Sequence, residues 1–383
     1  MPIEQISIKN FLNLCKELPV LDVRSPGEYR HAHIPDSFTL PLFTDEQRKI
    51  IGTAYKQESR QAAVNYGLNY FSERMKIIPQ ETIGIISDWH KNKVPSSSPL
   101  SGGGGLDLFS SSPSGDRGQG LLIHCWRGGM RSESVAWLLN LYGYKIYVLK
   151  GGYKSFRNWA LAQFEKTYSL KILGGYTGSG KTDVLKEMQR KGKSIIDLER
   201  LANHKGSAFG SLGEKPQPTQ EMFENLLAIE LWKTGIETEN NQTNGNGYTK
   251  NGKTEIWLED ESRHTGLVNI PKTLWEQMRN SNLYFLEIPF EERLNYIVAT
   301  YSVFDKKDLV TSIMKIQKKL GGLETKNAIN FLLENNLKEC FSILMQYYDK
   351  LYTKGLYNRE NIQSLLNKIT CTSVDIKNAD QFC

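Results

Sequence analysis

One short string constrains this chain more than any other: Gly175-Tyr176-Thr177-Gly178-Ser179-Gly180-Lys181-Thr182 satisfies the spacing G-x-x-x-x-G-K-[ST] in full. An apolar run at 170–173 precedes it and an amphipathic stretch at 183–191 follows, so the string turns a strand into a helix. Glycines let such a turn close until its N–H groups converge on a phosphate chain. The helix N-terminus adds partial positive charge and Lys181 a full one. The expected phosphate-binding set is Gly175, Thr177, Gly178, Ser179, Gly180, Lys181 and Thr182, with Thr182 also a ligand for Mg2+. Whether the phosphates belong to a nucleotide or to another diphosphate is left open by the loop itself. Beyond the helix a strand at 194–198 completes a β-α-β unit, and further strands are expected at 255–258 and 283–288, with a helix over 290–300. Carboxylates stand at two of these strand ends: Asp197 and Glu199 on one, Glu259, Asp260 and Glu261 on the other. Asp197, Glu199, Glu259 and Glu261 are the candidates for positioning a metal ion or a water.

A second α/β pattern lies upstream. Strand-like runs at 20–23, 121–125 and 146–149 alternate with a helix in which Val135, Leu138, Leu139 and Tyr142 fall on one face. The stretch 81–89 fits strand and helix equally well. Between the second strand and that helix stands His124-Cys125-Trp126-Arg127-Gly128-Gly129-Met130-Arg131-Ser132. A cysteine placed after a strand and before a helix meets loop N–H groups and the positive end of the helix dipole. Arg127 and Arg131 add charge, so the sulfur is expected to be nucleophilic and the bowl from Trp126 to Ser132 to hold an oxyanion. The spacing also matches H-C-x-x-G-x-x-R-S, the phosphate bowl of cysteine-dependent phosphatases. His31, His33 and His124 form no metal-ligand spacing and are expected to pack or hydrogen-bond.

The 383 residues, 39% of them hydrophobic, are enough for two cores. Five scattered cysteines without a CxxC pair argue against a disulfide framework and a zinc site. No basic segment ahead of an apolar run opens the chain and no apolar run is long enough to span a bilayer, so a cytoplasmic protein without a membrane partner is expected. A net charge of +6 permits a polyanionic partner without demanding one. Two low-complexity stretches, about 92–120 and 238–254, read as polar insertions within domains. The expected organisation is an α/β domain over 1–155, a second α/β domain over 168–300, and a helical C-terminal region over 301–383, with helix throughout 305–368.

Leu21-Asp22-Val23-Arg24-Ser25-Pro26-Gly27-Glu28-Tyr29, followed by His33-Ile34-Pro35-Asp36-Ser37, resembles the opening of rhodanese domains. In that family the Asp and Arg are structural braces and the cysteine carries sulfur or selenium. A rhodanese-like domain joined to a P-loop NTPase-like domain narrows the resemblance further. Arg48, Gly52-Thr53-Ala54-Tyr55-Lys56, Gly151-Gly152-Tyr153-Lys154, His204 through Gly210 and Glu259-Asp260-Glu261-Ser262-Arg263 together resemble the tRNA 2-selenouridine synthases. That resemblance implies geranylation of 2-thiouridine at the tRNA wobble position by geranyl diphosphate, then replacement of the geranylthio group by selenium from selenophosphate. It implies Cys125 as the residue that accepts or passes on selenium, a tRNA partner, a selenophosphate-supplying synthetase, and no tightly bound cofactor beyond Mg2+. Arg48, Lys56, Arg60, Lys154, Arg157, Lys205 and Arg263 are candidates for tRNA phosphates. The alternative is a rhodanese sulfurtransferase fused to an ATP-dependent P-loop enzyme. Oligomeric state is not specified by the sequence.

Overall fold

The computed structural model describes residues 3–93, 120–240 and 254–383; the low-complexity stretches fall almost wholly outside them. The chain divides into two compact units, Met1–Ala160 and Leu161–Cys383.

In the first unit β1 (Glu4–Ile6), β2 (Val20–Asp22), β3 (Phe38–Thr39), β4 (Gly120–His124) and β5 (Lys145–Leu149) form one parallel sheet in the order β1-β5-β4-β2-β3. This is a rhodanese-like α/β layer. Every residue of β4 is buried, as expected for a central parallel strand covered on both faces. Leu121 and Ile123 share a core with Val135, Leu138 and Leu139 from the helix Met130–Leu141. Tyr142 does not join that face: the helix stops at Leu141, Tyr142 caps it, and its side chain is 58% exposed. The ambiguous stretch is the helix Ile78–Lys93, because Ile78, Thr82, Ile85 and Ile86 recur at helical spacing and turn one side to the core.

The second unit carries β6 (Ser169–Gly175), β7 (Ser194–Ile196), β8 (Glu255–Glu259), the two-stranded hairpin β9 (His264–Thr265) and β10 (Val268–Asn269), β11 (Asn282–Glu287) and β12 (Leu366–Thr370). Its main sheet is again parallel, in the order β12-β11-β6-β8-β7. This is a P-loop-like arrangement with the glycine loop leaving the central strand. The C-terminal region departs from the expectation of helix throughout. After the helices Lys306–Lys315, Gly322–Leu333 and Leu337–Tyr357 the chain returns to the sheet as β12, paired along β11 from Leu283↔Leu366 to Glu287↔Thr370. A short, mostly solvent-facing edge strand, Leu-Asn-Lys-Ile-Thr, carries almost no apolar periodicity by which to be read. The helices before it share a core in which Leu294 and Ile297 of the helix Phe290–Tyr301 meet Phe341 and Leu344. Each such side chain contributes roughly 1.5–3 kcal/mol on burial, so the tail is fastened to the sheet unit. Among the described residues no helix is long and apolar enough to cross a membrane.

Candidate functional site

Two sites, one in each unit, hold Cys125 with its bowl and the phosphate loop with its carboxylates; of the basic residues singled out above, Lys154, Arg157 and Arg263 line neither cavity. In the first unit the buried thiol of Cys125 follows β4 directly, and the helix Met130–Leu141 begins after Gly129. Ser132, buried in the first turn, places its hydroxyl 3.3 Å from the sulfur and 2.9 Å from the Gly129 carbonyl. The loop is pinned from behind: Tyr153 and Lys154 donate backbone N–H bonds to the carbonyls of Cys125 (2.8 Å) and Trp126 (3.0 Å). Gly152, at φ +58°, makes this approach possible, since a Cβ there would lie 2.4 Å from the Cys125 carbonyl oxygen. Arg131 reaches back to Glu28 at 2.8 Å and Arg48 lies 3.5 Å from the same carboxylate. Burial alone would raise the Glu28 carboxyl; Arg131 outweighs it and holds that group below its usual value. Glu28 therefore fixes the Arg131 guanidinium at the bowl.

Beneath the loop Asp22 and Arg24 form a fully buried ion pair at 2.6 Å, and Arg24 also donates to the Ala32 carbonyl. The Arg24 guanidinium lies 3.9 Å from the Tyr153 ring centre, so the pair supports the residue that pins the cysteine loop. Desolvation by itself would lift the Asp22 carboxyl, but the neighbouring cationic groups hold it low. Burial keeps the His124 imidazole near pKa 4, hence neutral at ordinary pH, which leaves Arg24 as the charge that does this. His33 stacks on Tyr29 and bonds its carbonyl at 3.0 Å.

Cys125 opens into a cavity of about 760 Å³. One wall is apolar and comes from the helices Asp45–Gln57 and Arg60–Arg74, with Ile51, Val64, Leu68 and Phe71 facing in beside Phe43. Trp126, Arg127, Gly129, Met130 and Arg131 form the opposite side, and Arg48, Lys49, Lys56 and Arg60 supply positive charge.

In the second unit a cavity of about 800 Å³ surrounds the phosphate loop. Gly178 and Gly180 adopt φ of +82° and +68°. A Cβ on Gly178 would meet the Arg293 carbonyl at 2.8 Å. Lys181 donates to the Gly175 carbonyl at 3.1 Å, and the Ser179 hydroxyl is buried without a partner. Pairing of Leu173 with Glu259 aligns the ends of β6 and β8, so the carboxylate run after β8 stands beside the loop. Glu199, Glu259 and Glu261 bring carboxylate oxygens within 4.8 Å of one another, and Thr182 donates to Glu199 at 3.3 Å. Desolvation, then repulsion from Glu259, pushes the Glu199 carboxyl up to about 8; Glu259 and Glu261 are raised for the same reasons, burial first. One oxygen of the buried Glu259 has no hydrogen-bond partner. Crowded, desolvated carboxylates with a spare lone pair beside a threonine hydroxyl are the donor set a hard divalent cation takes. Asp197 is used differently: it caps the short helix Leu198–Ala202, accepting from the Arg200 N–H at 2.8 Å, and stands outside the cluster.

Residues 168–370 match the family model described as the tRNA 2-selenouridine synthase AAA domain. A tRNA 2-selenouridine synthase of Sulfurovum sp. (strain NBC37-1) is 31% identical over 365 residues, covering 87% of each chain. Proteins of the same name from Nitrosomonas eutropha (29% identical, 90% of each chain) and Pseudomonas syringae pv. syringae (30% identical, 92% of this chain and 90% of the relative) align across both units. The chain belongs to the tRNA 2-selenouridine synthase family.

In this member of the tRNA 2-selenouridine synthase family the structure adds residues that no motif marked. Arg293 donates to the Thr177 carbonyl at 2.9 Å and forms a two-pronged pair with Asp349, closing at 2.7 Å. Tyr352 and Arg359, from the C-terminal helices and the turn after them, both bond Asp260 and line the phosphate-loop cavity. The only sequence sign of them was the apolar spacing of their helices, which reports a packed face and not what its polar neighbours touch. The His204–Gly210 string finds its place in the same cavity: Lys205, Gly206 and Ser207 line it, and Gly206 passes so near Glu261 that a Cβ would lie 2.6 Å from its carboxylate.

Proposed function

We propose that this protein is a cytoplasmic enzyme that modifies tRNA carrying 2-thiouridine at the wobble position, converting it to 2-selenouridine through an S-geranyl intermediate. The observation that carries this reading is the presence of two separate anion sites, one built on a thiol and one on a phosphate loop, in a chain that such synthases match across both units.

The second unit would take geranyl diphosphate. The base sulfur attacks C1 of the geranyl group, a C–S bond forms, the C–O bond breaks, diphosphate leaves and the N3 proton is released to water. The loop N–H groups and Lys181 are aimed where negative charge grows on that leaving group. Mg2+ held by Thr182 with Glu199, Glu259 and Glu261 would supply further neutralisation of the diphosphate.

The first unit would take selenophosphate. Selenium has the same oxidation level there as in a selenocarbonyl, so no oxidant is needed provided the Cys125 thiolate attacks phosphorus. An S–P bond forms, the P–Se bond breaks and hydrogenselenide leaves. Hydrogenselenide and a proton then add across C2 and N3 of the geranylated base, geranylthiol departs, and water returns phosphocysteine to thiol and phosphate. Arg131 would hold the phosphoryl oxygens, and the Ser132 hydroxyl beside the sulfur would stabilise it as thiolate and as leaving group. Attack on selenium would instead require phosphorus to leave as phosphite.

Mass spectrometry of nucleosides from 2-thiouridine tRNA incubated with geranyl diphosphate, with and without selenophosphate, tests the reading. An S-geranyl product that becomes 2-selenouridine when selenophosphate is added is expected. Thiolation or ATP hydrolysis in place of both products would move the assignment to an ATP-dependent sulfurtransferase.

A further inference from the structure

The cavity beside Cys125 contains more than a selenophosphate site requires. Selenophosphate is a small, fully polar anion, for which the bowl from Trp126 to Ser132 offers Arg127 and Arg131. Yet the cavity extends to about 760 Å³ between two helices whose facing side chains are apolar. Of these, Leu68 is 58% exposed, and Met130 on the opposite side is 57% exposed. Gly67, on the wall with Leu68, leaves space that a Cβ would begin to fill against Phe43. An apolar wall of this kind inside a cleft is a binding surface for hydrocarbon. Its rim is the opposite: Arg48, Lys49, Lys56 and Arg60 lie at its edge. Hydrocarbon wall and cationic rim together fit a lipid-like chain joined covalently to a polyanion.

We propose that this cavity binds the geranyl chain of the S-geranylated tRNA, with the basic rim on flanking RNA phosphates, so that the chain is held in the first unit while selenium replaces it. The inference rests on the S-geranyl intermediate of the function proposed above and assigns it a site. Burial of the chain places C2 of the base against the bowl. Once hydrogenselenide and a proton have added across C2 and N3, the C2–S bond breaks and the geranylthio group leaves into the cavity with the selenol proton, as geranylthiol. Hydrophobic contact makes the long chain a selected leaving group, where a short alkyl group of equal intrinsic reactivity would be held only by the RNA.

The test uses the full chain and tRNA supplied already S-alkylated, with either a geranyl or a methyl group on the 2-thio position, and selenophosphate. Wild type should convert the S-geranyl substrate with a kcat/KM at least about tenfold above the S-methyl one. Val64→Trp, which fills the wall, should bring that ratio close to one, and so should Leu68→Glu, a change at an exposed helix position that the fold tolerates readily. A ratio that stays at its wild-type value in both variants would overturn the inference while leaving the S-geranyl pathway standing. Failure of wild type to convert S-geranyl tRNA at all would overturn the pathway, and the inference with it. Geranylation of 2-thiouridine tRNA by the same variants identifies the source of the chain. Loss there as large as the loss in exchange would mean that the cavity serves free geranyl diphosphate, which also overturns the assignment to the tRNA-borne chain.

Discussion

Cys125 and Lys181 stand in different units, each with its own supporting residues, so on the proposed two-step route single substitutions should separate the half-reactions. Cys125→Ser should lower selenium incorporation at least about 100-fold while S-geranyl tRNA still accumulates, because only the nucleophile is removed. Ser132→Ala should cost selenium transfer about tenfold, because the sulfur loses the hydroxyl that stands 3.3 Å from it. Equal loss of geranylation in Cys125→Ser would sink the division of labour. A second expectation concerns the carboxylates beside Thr182. Glu199 titrates near 8 in the folded protein, above its ordinary value of 4.5, so the folded state keeps a proton that the unfolded chain releases. That stabilising contribution is present below about pH 4.5 and is lost as pH rises toward 8. Mg2+ binds the deprotonated cluster, so its stabilising effect should grow over the same window. Thermal melts should show a larger Mg2+-induced rise in Tm at pH 8 than at pH 6, and Glu259→Gln should remove the increment. The same increment at both pH values would exclude the cluster as the metal site. At this scale much was legible: the cysteine and phosphate loops are contiguous strings whose chemistry depends on neighbours in sequence. What escaped were Glu28 as the Arg131 partner and Arg293 as the strap on Thr177, contacts made across 103 and 116 residues, for which a single sequence holds no spacing signal.

Parallel strands flanked by helices were readable because β4 is buried throughout and β6 and β8 over most of their length, so that they appear as largely apolar runs, broken in β6 by Lys171. β12 failed that test because an edge strand needs no such run, and the helix cap made by Asp197 was missed because a strand-end carboxylate and a helix cap look alike in sequence. The helix Phe290–Tyr301 bears the next expectation. Its Arg293 is nearly buried and joins the phosphate loop to Asp349 on the helix Leu337–Tyr357. Arg293→Ala would leave Asp349 partly buried without its partner, at a cost of about 3 kcal/mol in urea unfolding. It should also weaken geranyl diphosphate binding, since the loop carbonyl it holds is released. Arg293→Lys should recover only part of either effect, because an ammonium cannot match both carboxylate oxygens and the Thr177 carbonyl at once. Undiminished geranyl diphosphate affinity in Arg293→Ala would show that the loop holds its shape without the strap.

At the scale of the whole molecule, among the described residues the lining of the Cys125 cavity comes from Met1–Ala160 and the lining of the phosphate-loop cavity from Leu161–Cys383. On the proposed route, a base geranylated at one site and exchanged at the other has to move between them. tRNA is a polyanion, so transfer of the proposed S-geranyl tRNA through solvent is open to it. Cys125→Ser and Lys181→Ala, each unable to complete the conversion alone, should therefore restore 2-selenouridine when mixed, with a lag while S-geranyl tRNA accumulates. Raising the salt concentration should slow the second phase, because capture of the released tRNA relies on Arg48, Lys49, Lys56 and Arg60. Addition of excess unlabelled S-geranyl tRNA should dilute labelled product in the mixture. A mixture that stays inactive while each variant keeps its own half-reaction would mean that the base passes between the sites without release, and both would then have to act on one tRNA bound to one chain.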